Sequence, residues 1–266
     1  MRPTRLSSWF GRLVVIDEPR GTLIVTGASR GIGAAVAALA ARDGWAVAVN
    51  YRADQARADA LVTEIVGWGG RALAIQADVA REAEIMRLFE IADHSLGPVQ
   101  GLVNNAGVTG GKSRVENLTS EIIGKVMDVN VAGAMLCARE AVRCMSTHRG
   151  GQGGGIVNLS SIASRIGSAG EWVHYAASKG AIDSFTIGLA REVAGEGIRV
   201  NAVAPGLIET DLHAENGDPD RPRRMASAIP MQRSGQPDEI AEAVVWLLSP
   251  AASYVTGAIL EVGGGR

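Results

Sequence analysis

The sequence Thr22-Leu-Ile-Val-Thr26-Gly27-Ala-Ser-Arg30-Gly31-Ile-Gly33 joins a short apolar run to a segment rich in alanine. The apolar run predicts a buried strand over 22–26, and the alanine-rich segment predicts a helix over 31–42. Three glycines between them let the backbone turn sharply and come close to a bound group. A helix N-terminus after such a turn offers free N–H groups and a positive dipole end to an anion. We therefore predict a phosphate-binding turn.

The glycine spacing is G-x-x-x-G-x-G, which differs from the common dinucleotide fingerprint G-x-G-x-x-G. Its position directly after the first predicted strand favours a dinucleotide as the bound group. Tight packing of the helix against the strand is the structural alternative. The expected contacts of the turn with the cofactor involve Gly27, Ser29, Arg30, Gly31, Ile32 and Gly33.

Strand and helix patterns alternate along the rest of the chain. Further strands are predicted at 45–49, 71–76, 101–104, 156–159, 198–203 and 258–262, and helices at 53–67, 81–96, 119–147, 175–196 and 237–248. Continuous apolar strands joined by helices favour parallel strands with helices on both faces of one sheet. We predict an α/β fold with a single doubly wound parallel sheet of about seven strands. Residues 207–230 are rich in charges and lack a clear period, so we expect a mobile excursion.

Length and composition fit one large α/β domain or two small ones, with a full buried core. The chain has 266 residues, of which 47% are hydrophobic, and a formal net charge of −2. No linker, repeat or charge block divides the chain, so we expect a single dinucleotide-binding domain over 21–266. Residues 1–20 are interpreted as an N-terminal extension or a misplaced start codon in preference to a transit peptide. The weak charge argues against nucleic acid as a partner, and no apolar run approaches the ~20 residues of a membrane span.

Two cysteines, Cys137 and Cys144, lie seven residues apart in one helical pattern. We interpret them as packed thiols in a reducing compartment, and we expect a cytoplasmic protein.

The end of the second predicted strand bears on which dinucleotide is bound. NAD binders usually carry an acid there for the ribose hydroxyls, whereas a nearby arginine suits the 2′-phosphate of NADP. This chain has Asn50-Tyr51-Arg52, with no carboxylate until Asp54, and Arg30 adds a second cation. Arginine can bind phosphate through two donors at once. We therefore predict NADP(H) in preference to NAD(H); the alternative is that both arginines are solvated surface charges.

Tyr175 and Lys179 are four residues apart in a predicted helix, so they share one face. A tyrosine titrates near pH ~10, and a neighbouring ammonium should lower that pKa because it stabilises the phenolate. Tyr175 would then transfer protons near neutral pH. A serine of the pair Ser160-Ser161, arriving from a separate strand, could hold a substrate oxygen beside the phenol. Taken alone, the Tyr-x-x-x-Lys spacing also fits two residues of a solvated helix.

Several motifs now stand in one order, and together the chain resembles the short-chain dehydrogenase/reductase family from about 22 to 264. The motifs are Thr26-Gly27-x-x-x-Gly31-x-Gly33, Asp78-Val79, Asn104-Asn105-Ala106-Gly107, Asn130, Ser160-Ser161, Tyr175-x-x-x-Lys179 and Pro205-Gly206. The set is specific, although each motif alone is not. The resemblance implies that the sheet belongs to a single Rossmann-type catalytic domain, and that the protein is an enzyme that transfers hydride between a nicotinamide and a carbonyl/alcohol pair.

The resemblance also implies roles for individual residues. Asn130, Ser161, Tyr175 and Lys179 would form the catalytic tetrad, in which Asn130 holds a water of the proton path. Lys179 would also bind the nicotinamide ribose, and Tyr175 would contact the cofactor beside Lys179. The remaining cofactor contacts would come from Asp78, Val79, Asn105, Ala106, Gly107, Pro205, Gly206, Ile208 and Thr210. Pairing of two long helices would make a homodimer or homotetramer, with Cys137 and Cys144 near the interface.

Two features depart from the family pattern. Ser160 and Ser161 are adjacent, with one extra residue before Tyr175 compared with many members. We choose Ser161, because strand alternation sends neighbours to opposite faces, and Ser160 is the alternative. Glu171, Trp172 and His174 stand just before the tyrosine, and they suit either a substrate wall or a loop packed at a subunit contact.

The substrate class stays open among ketones, sugars and 3-oxoacyl thioesters. The arginines Arg221, Arg223 and Arg224 are expected to face water, with a phosphopantetheine carrier as the other possibility. A non-catalytic NADP(H)-sensing protein of the same fold is the competing function, and the intact tetrad argues against it. No metal is expected, because the four histidines and two cysteines show no ligand spacing.

Overall fold

The computed structural model describes residues 6–9, 12–15, 20–211, 217–218 and 220–266. Within these ranges, two short strands, β1 (Leu6–Trp9) and β2 (Arg12–Val15), pair antiparallel with each other. The central sheet follows them. Its strands are β3 (Thr22–Val25), β4 (Ala46–Tyr51), β5 (Arg71–Gln76), β6 (Val99–Asn104), β7 (Gly154–Leu159), β8 (Ile198–Pro205) and β9 (Ile259–Val262).

The seven strands run parallel in the order β5-β4-β3-β6-β7-β8-β9. The chain leaves β3 toward β4 and β5 on one side, and it returns to the other side of β3 at β6. This reversal is the topological switch point at which doubly wound sheets bind ligands, beyond the carboxyl ends of the strands. The predicted fold class is therefore confirmed.

The helices of the described residues cover both faces of the sheet. They are α1 (Gly31–Arg42), α2 (Gln55–Gly67), α3 (Glu82–Leu96), α4 (Ser120–Met127), α5 (Ala134–Met145), α6 (Ala163–Ile166), α7 (Val173–Val193), α8 (Arg221–Met225) and α9 (Pro237–Leu248). Successive residues of a strand pack on opposite faces of the sheet. In β3, Leu23 and Val25 pack toward α1, α2 and α9, whereas Ile24 packs toward α3, α5 and α7. None of these helices is long and apolar enough to cross a bilayer.

A buried ladder of polar side chains holds the central strands together. Asn104 Nδ2 donates to Asn158 Oδ1 at 2.9 Å and to the Ala134 carbonyl at 3.0 Å. Asn158 Nδ2 donates in turn to Thr186 Oγ1 at 2.9 Å. Buried polar groups need such partners, so the ladder fixes β6, β7, α5 and α7 relative to one another.

The predicted long helix over 119–147 is present from 120 to 145, but it contains a π-helical segment that the sequence did not predict. Helix α4 ends at Met127, a π-helical segment covers Asp128–Gly133, and α5 begins at Ala134. A Cβ at Gly133 would come within 2.6 Å of the Val79 carbonyl oxygen, so the segment packs directly against the end of β5. The apolar period of the sequence cannot show this insertion, because π-segments extend a helix by a single residue.

The predicted mobile excursion over 207–230 is wrong for part of its length. Within the described part, Arg221–Met225 forms α8, and Arg221 and Pro222 are buried. Arg223 and Arg224 are exposed, as expected, but Arg221 is only 6% exposed. The burial arises from a partner that lies 50 residues earlier in the chain. Pro219 lies outside the described residues.

Candidate active site

A cleft of about 900 Å³ opens at the carboxyl edge of the sheet, around the switch point. Its walls come from the segments that follow β3, β4, β5, β6, β7 and β8. All the site residues predicted from the sequence line this cleft except Gly33 and Asn130. The structure therefore brings together groups that lie up to 183 positions apart in the sequence, from Gly27 to Thr210.

The glycine turn has the backbone that its sequence requires. Gly27 and Gly31 take positive φ angles of 62° and 56°, which favour glycine. A Cβ on Gly33 would lie 2.6 Å from the Gly27 carbonyl oxygen and 2.4 Å from Asn105 Nδ2. The turn is thus a tight cradle at the N-terminus of α1, and its geometry fits a diphosphate.

Asn105 and Thr26 brace this cradle from the neighbouring strand. Asn105 Nδ2 donates to the carbonyls of Thr26 and Gly27 at 2.8 and 2.9 Å. Thr26 Oγ1 accepts from the main-chain N–H groups of Asn105 and Ala106, each at 3.0 Å. The end of β6 is therefore tied to the turn after β3.

Asn50 acts inside the protein. Its Oδ1 accepts from the Gly27 N–H at 3.1 Å, and its Nδ2 donates to the carbonyls of Ile75 and Ala77 at 3.3 and 3.0 Å. The amide is thereby occupied by main-chain partners and holds the glycine turn against β4 and β5. A direct contact of Asn50 with a cofactor stays a prediction.

Charged side chains gather at the end of the cleft beyond β4. Arg52 is exposed there. Asp211 Oδ2 lies 2.5 Å from Arg57 Nη1 and 3.9 Å from Arg30 Nη1. Arg57 was not predicted as a site residue. It lies one turn into α2, and it reaches the cleft residues only because the segment after β8 brings Asp211 against it.

Asp78 and Val79 form the wall after β5. The Asp78 N–H donates to Glu84 Oε2 at 2.7 Å, and Asp78 Oδ1 accepts from the Ala80 N–H at 3.0 Å. Val79 is buried. These bonds shape the turn into α3 and leave one side of it on the cleft.

On the opposite wall, Gly206 lets β8 and β9 approach closely. A Cβ on Gly206 would lie 2.6 Å from Gly263 Cα, and the Gly206 N–H donates to the Val262 carbonyl at 2.9 Å. Ile208 then bridges to Gly235, and Thr210 lies beside Gly31.

Ser161, Tyr175 and Lys179 meet in the middle of the cleft. The Ser161 hydroxyl lies beside the Tyr175 phenol and acts to lower its pKa, whereas Ser160 Oγ donates to the Lys179 carbonyl at 3.4 Å. Lys179 Nζ lies 5.6 Å from the Tyr175 ring centroid and donates to the Leu159 carbonyl at 2.6 Å. Of the two adjacent serines, Ser161 is the one beside the phenol.

The expected lowering of the tyrosine pKa by the lysine is wrong for the chain by itself. Burial raises the pKa of Tyr175 to about 12, although its hydrogen bond with Ser161 acts in the opposite direction. Burial also lowers the pKa of Lys179 to about 8, against the attraction of Asp183. Removal from water disfavours both charged forms, and it is the largest cause of both pKa shifts.

Asn130 lies behind the lysine, in the π-helical segment. Its Oδ1 accepts from the Val108 N–H at 2.8 Å, and its Nδ2 donates to the Val108 carbonyl at 2.9 Å and to Ser178 Oγ at 3.0 Å. The side chain thus ties the segment after β6 to α7. A Cβ on Gly107 would lie 3.4 Å from Asn130 Oδ1 and 3.6 Å from Lys179 Nζ, so both side chains converge on this glycine.

Comparison with known proteins agrees with this geometry. The family model described as enoyl-(acyl carrier protein) reductase matches residues 27–266. An uncharacterized oxidoreductase of Escherichia coli K12, YgfF, is 52% identical over 243 residues, which cover 91% of this chain and 98% of that protein. The chain belongs to the short-chain dehydrogenase/reductase family. It is therefore an oxidoreductase that acts on the carbonyl/alcohol pair with a nicotinamide cofactor.

Other relatives differ in what their names report. Glucose 1-dehydrogenase 2 of Bacillus subtilis is 38% identical over 244 residues, covering 92% of this chain and 93% of that protein. A blue fluorescent protein from a metagenomic library, solved in complex with NADPH, superposes with a TM-score of 0.85 at 35% identity, covering 93% of this chain and 98% of that one. The predicted family membership is confirmed.

Proposed function

We propose that this short-chain dehydrogenase/reductase is NADP(H)-dependent and reduces or forms a ketone, sugar or 3-oxoacyl carbonyl. One observation carries the proposal: the Ser161–Tyr175–Lys179 cluster shares a cleft with Arg30 and Arg52, which stand at its far end. The first carboxylate after β4 is Asp54, and its side chain caps α2 by accepting from the Arg57 N–H at 3.1 Å. The relative solved with NADPH supports the same cofactor.

The residues of the cluster divide the chemistry among them. The bound nicotinamide would supply or accept the hydride. In the direction of reduction, Tyr175 gives its proton to the substrate oxygen, and it holds that proton at neutral pH because its pKa is high. Ser161 holds the same oxygen through its hydroxyl. Lys179, as a buried ammonium, contacts the ribose and favours negative charge on the phenol oxygen.

The other assignments have structural support of different kinds. Asn130 holds the lysine side of the site and completes a proton path there. The glycine turn and Asn105 hold the diphosphate, Asp78 and Val79 flank the adenine, and the segment from Pro205 to Thr210 borders the nicotinamide. These roles are the ones that the family resemblance implies, and the position of each residue on the cleft wall or directly behind it supports them.

We also propose a homodimer or homotetramer in the cytoplasm. Large apolar side chains stand exposed on the long helices: Ile123 and Met127 on α4, Met135 on α5 and Ile187 on α7. Pairing of these helices between copies would cover them. Cys137 and Cys144 are free thiols in the structure, in keeping with a reducing compartment.

The first experiment measures oxidation of NADPH and NADH side by side, with ketones, sugars, diketones and 3-oxoacyl thioesters as oxidants. Turnover with NADPH supports the proposal. Tight NADPH binding without turnover of any of these compounds would favour the sensing protein instead.

The cofactor preference is tested by Arg52→Asp. A hydrogen bond to a charged group contributes about 1.5–3 kcal/mol, so we expect the Kd for NADPH to rise about 10-fold or more while that for NADH changes little. Arg149→Asp makes the same charge change at an exposed position just before the amino end of β7, far from the cleft, and should change neither. Equal weakening of both cofactors by Arg52→Asp would exclude Arg52 as a 2′-phosphate ligand.

A further inference from the structure

Three segments meet at the substrate end of the cleft. They are the loop after β6, the loop before α7, and helix α8. Main-chain contacts join the first two, because the Ser113 N–H donates to the Glu171 carbonyl at 2.8 Å and Ser113 forms a parallel bridge with Trp172. Helix α8 has no such main-chain bridge to either loop among the described residues, and side chains attach it.

Arg221 makes that attachment through two parallel hydrogen bonds. Its Nη1 and Nη2 donate to Glu171 Oε1 and Oε2 at 2.8 and 2.5 Å. The guanidinium also stacks over the Trp172 ring, 4.4 Å from its centroid. Lys112 Nζ adds a third contact at 3.0 Å from Glu171 Oε1. One carboxylate therefore gathers residues from all three segments.

This ion pair is less exposed to solvent than a neighbouring pair. The Arg221 side chain is 8% exposed and that of Glu171 is 25% exposed. In the same segment, Arg224 and Asp218 form a pair of similar two-bond geometry, but the Arg224 side chain is 58% exposed. A buried pair contributes uncertain net stability, whereas loss of one partner leaves an unpaired buried charge. The main consequence of the buried pair is therefore that it fixes α8 against the loop before α7.

The ion pair connects α8 with α7, the helix that carries Tyr175. Glu171 and Trp172 immediately precede α7, with Trp172 at its N-cap, and Tyr175 lies in the first turn of that helix. Trp172, Tyr175 and Arg221 all line the same cleft. Arg221 lowers the pKa of Glu171 to about 2, with Lys112 acting in the same direction, so the carboxylate stays charged throughout the working pH range.

We propose that Glu171 is a positioning residue: with Arg221 it clasps α8 against the loop that begins α7, and so closes the substrate end of the cleft beside Tyr175. This inference rests on the proposed function only for the kinetic measurements of its test, because hydrogen exchange needs no substrate. The clasp acts on carbonyl-substrate binding and leaves the cofactor end of the cleft unchanged.

The test uses Glu171→Gln in the full chain, with Asp218→Asn as the matched control. Hydrogen exchange of the amides of 221–229 is measured first, because it needs no substrate. Glu171→Gln should speed this exchange about tenfold or more, since local opening follows the loss of the contacts that hold a segment. Asp218→Asn should leave it near the native rate.

Steady-state kinetics then measure the consequence for the active site, with the fastest carbonyl compound from the panel as probe. Glu171→Gln should raise KM for that compound about 5-fold or more, as expected for loss of a charged hydrogen-bond pair, with the Kd for NADPH unchanged. Arg221→Lys keeps the charge but loses the two-bond fork, and its KM should fall between those of the native protein and Glu171→Gln.

Native exchange and native KM in Glu171→Gln would overturn the proposal. So would a fall in thermal stability with a proportional loss of active protein but an unchanged KM, because that result describes a structural role alone. If Glu171→Gln does not fold, the same measurements on Arg221→Lys decide. If the native protein turns over no carbonyl compound, the proposed function fails, and the exchange measurement still decides the clasp.

Discussion

Lys179 is a buried cation, and its replacement by methionine should stabilise the protein while it removes activity. The side chain is 5% exposed, and burial lowers its pKa from 10.5 to about 8. In the unfolded chain the lysine regains its ordinary pKa. Between pH of about 8 and 10.5 the unfolded chain therefore binds a proton that the native chain does not, so the native state becomes more stable as pH rises.

The magnitude follows from the size of this shift. At pH 7 the lysine is charged in both states, and the native chain carries the whole cost, about 3 kcal/mol at 1.36 kcal/mol per pKa unit. Methionine removes that cost but also the hydrogen bond to the Leu159 carbonyl, at about 1 kcal/mol. We expect Lys179→Met to gain about 2 kcal/mol at pH 7. The gain should shrink to near zero by a pH of about 9.5, as the native lysine loses its proton.

The assay is urea unfolding of both proteins at one protein concentration, from pH 6 to 9.5. This range stays below pH 10, where the raised pKa of Tyr175 begins to lower stability as the unfolded tyrosine loses its proton. Lys125→Met makes the same replacement of an ammonium group at an exposed position, and it should leave the pH dependence of unfolding unchanged. A Lys179→Met protein less stable than native at pH 7, with no convergence toward pH 9.5, would refute the reasoning.

Three further substitutions test the rest of the site. Tyr175→Phe should abolish turnover, with a loss of about 10²–10⁴-fold or more expected for a general acid, while titration still shows NADPH binding; near-normal rates would exclude the assignment. Ser161→Ala should lose most activity and Ser160→Ala little, because Ser161 lies beside the phenol whereas Ser160 donates to the Lys179 carbonyl; the reverse order in a rate assay would exchange their roles. Gly33→Ala should weaken NADPH and NADH alike in binding titrations, and cost about 1–3 kcal/mol of stability, because its Cβ would lie 2.4 Å from Asn105 Nδ2; unchanged binding would show that the turn relaxes freely.

Much of the fold follows from local sequence patterns. The predicted bounds of α1, β5 and α9 agree with the structure, since glycines, proline at a helix start and apolar periods act within a few residues. The parallel sheet follows as well, because continuous apolar strands joined by helices need cover on both faces. The positions of Tyr175 and Lys179 on one face of a helix required only their spacing.

Other properties of the site depend on segments that are distant in the sequence. The Asn50 amide turned inward because the carbonyls of Ile75 and Ala77 accept from its Nδ2 and the Gly27 N–H donates to its Oδ1. The pKa values of Tyr175 and Lys179 moved apart because burial, which no spacing reveals, disfavours the charged form of each group.

The sequence by itself therefore determined the alternation of strands and helices, the glycine turn and the order of the motifs. Tertiary structure alone decided that Arg221 is buried, because its partner Glu171 lies 50 residues away and meets it only after α7 and α8 have packed over the sheet. Backbone conformation responds to near neighbours, whereas desolvation and charge pairing depend on every group that packing brings close.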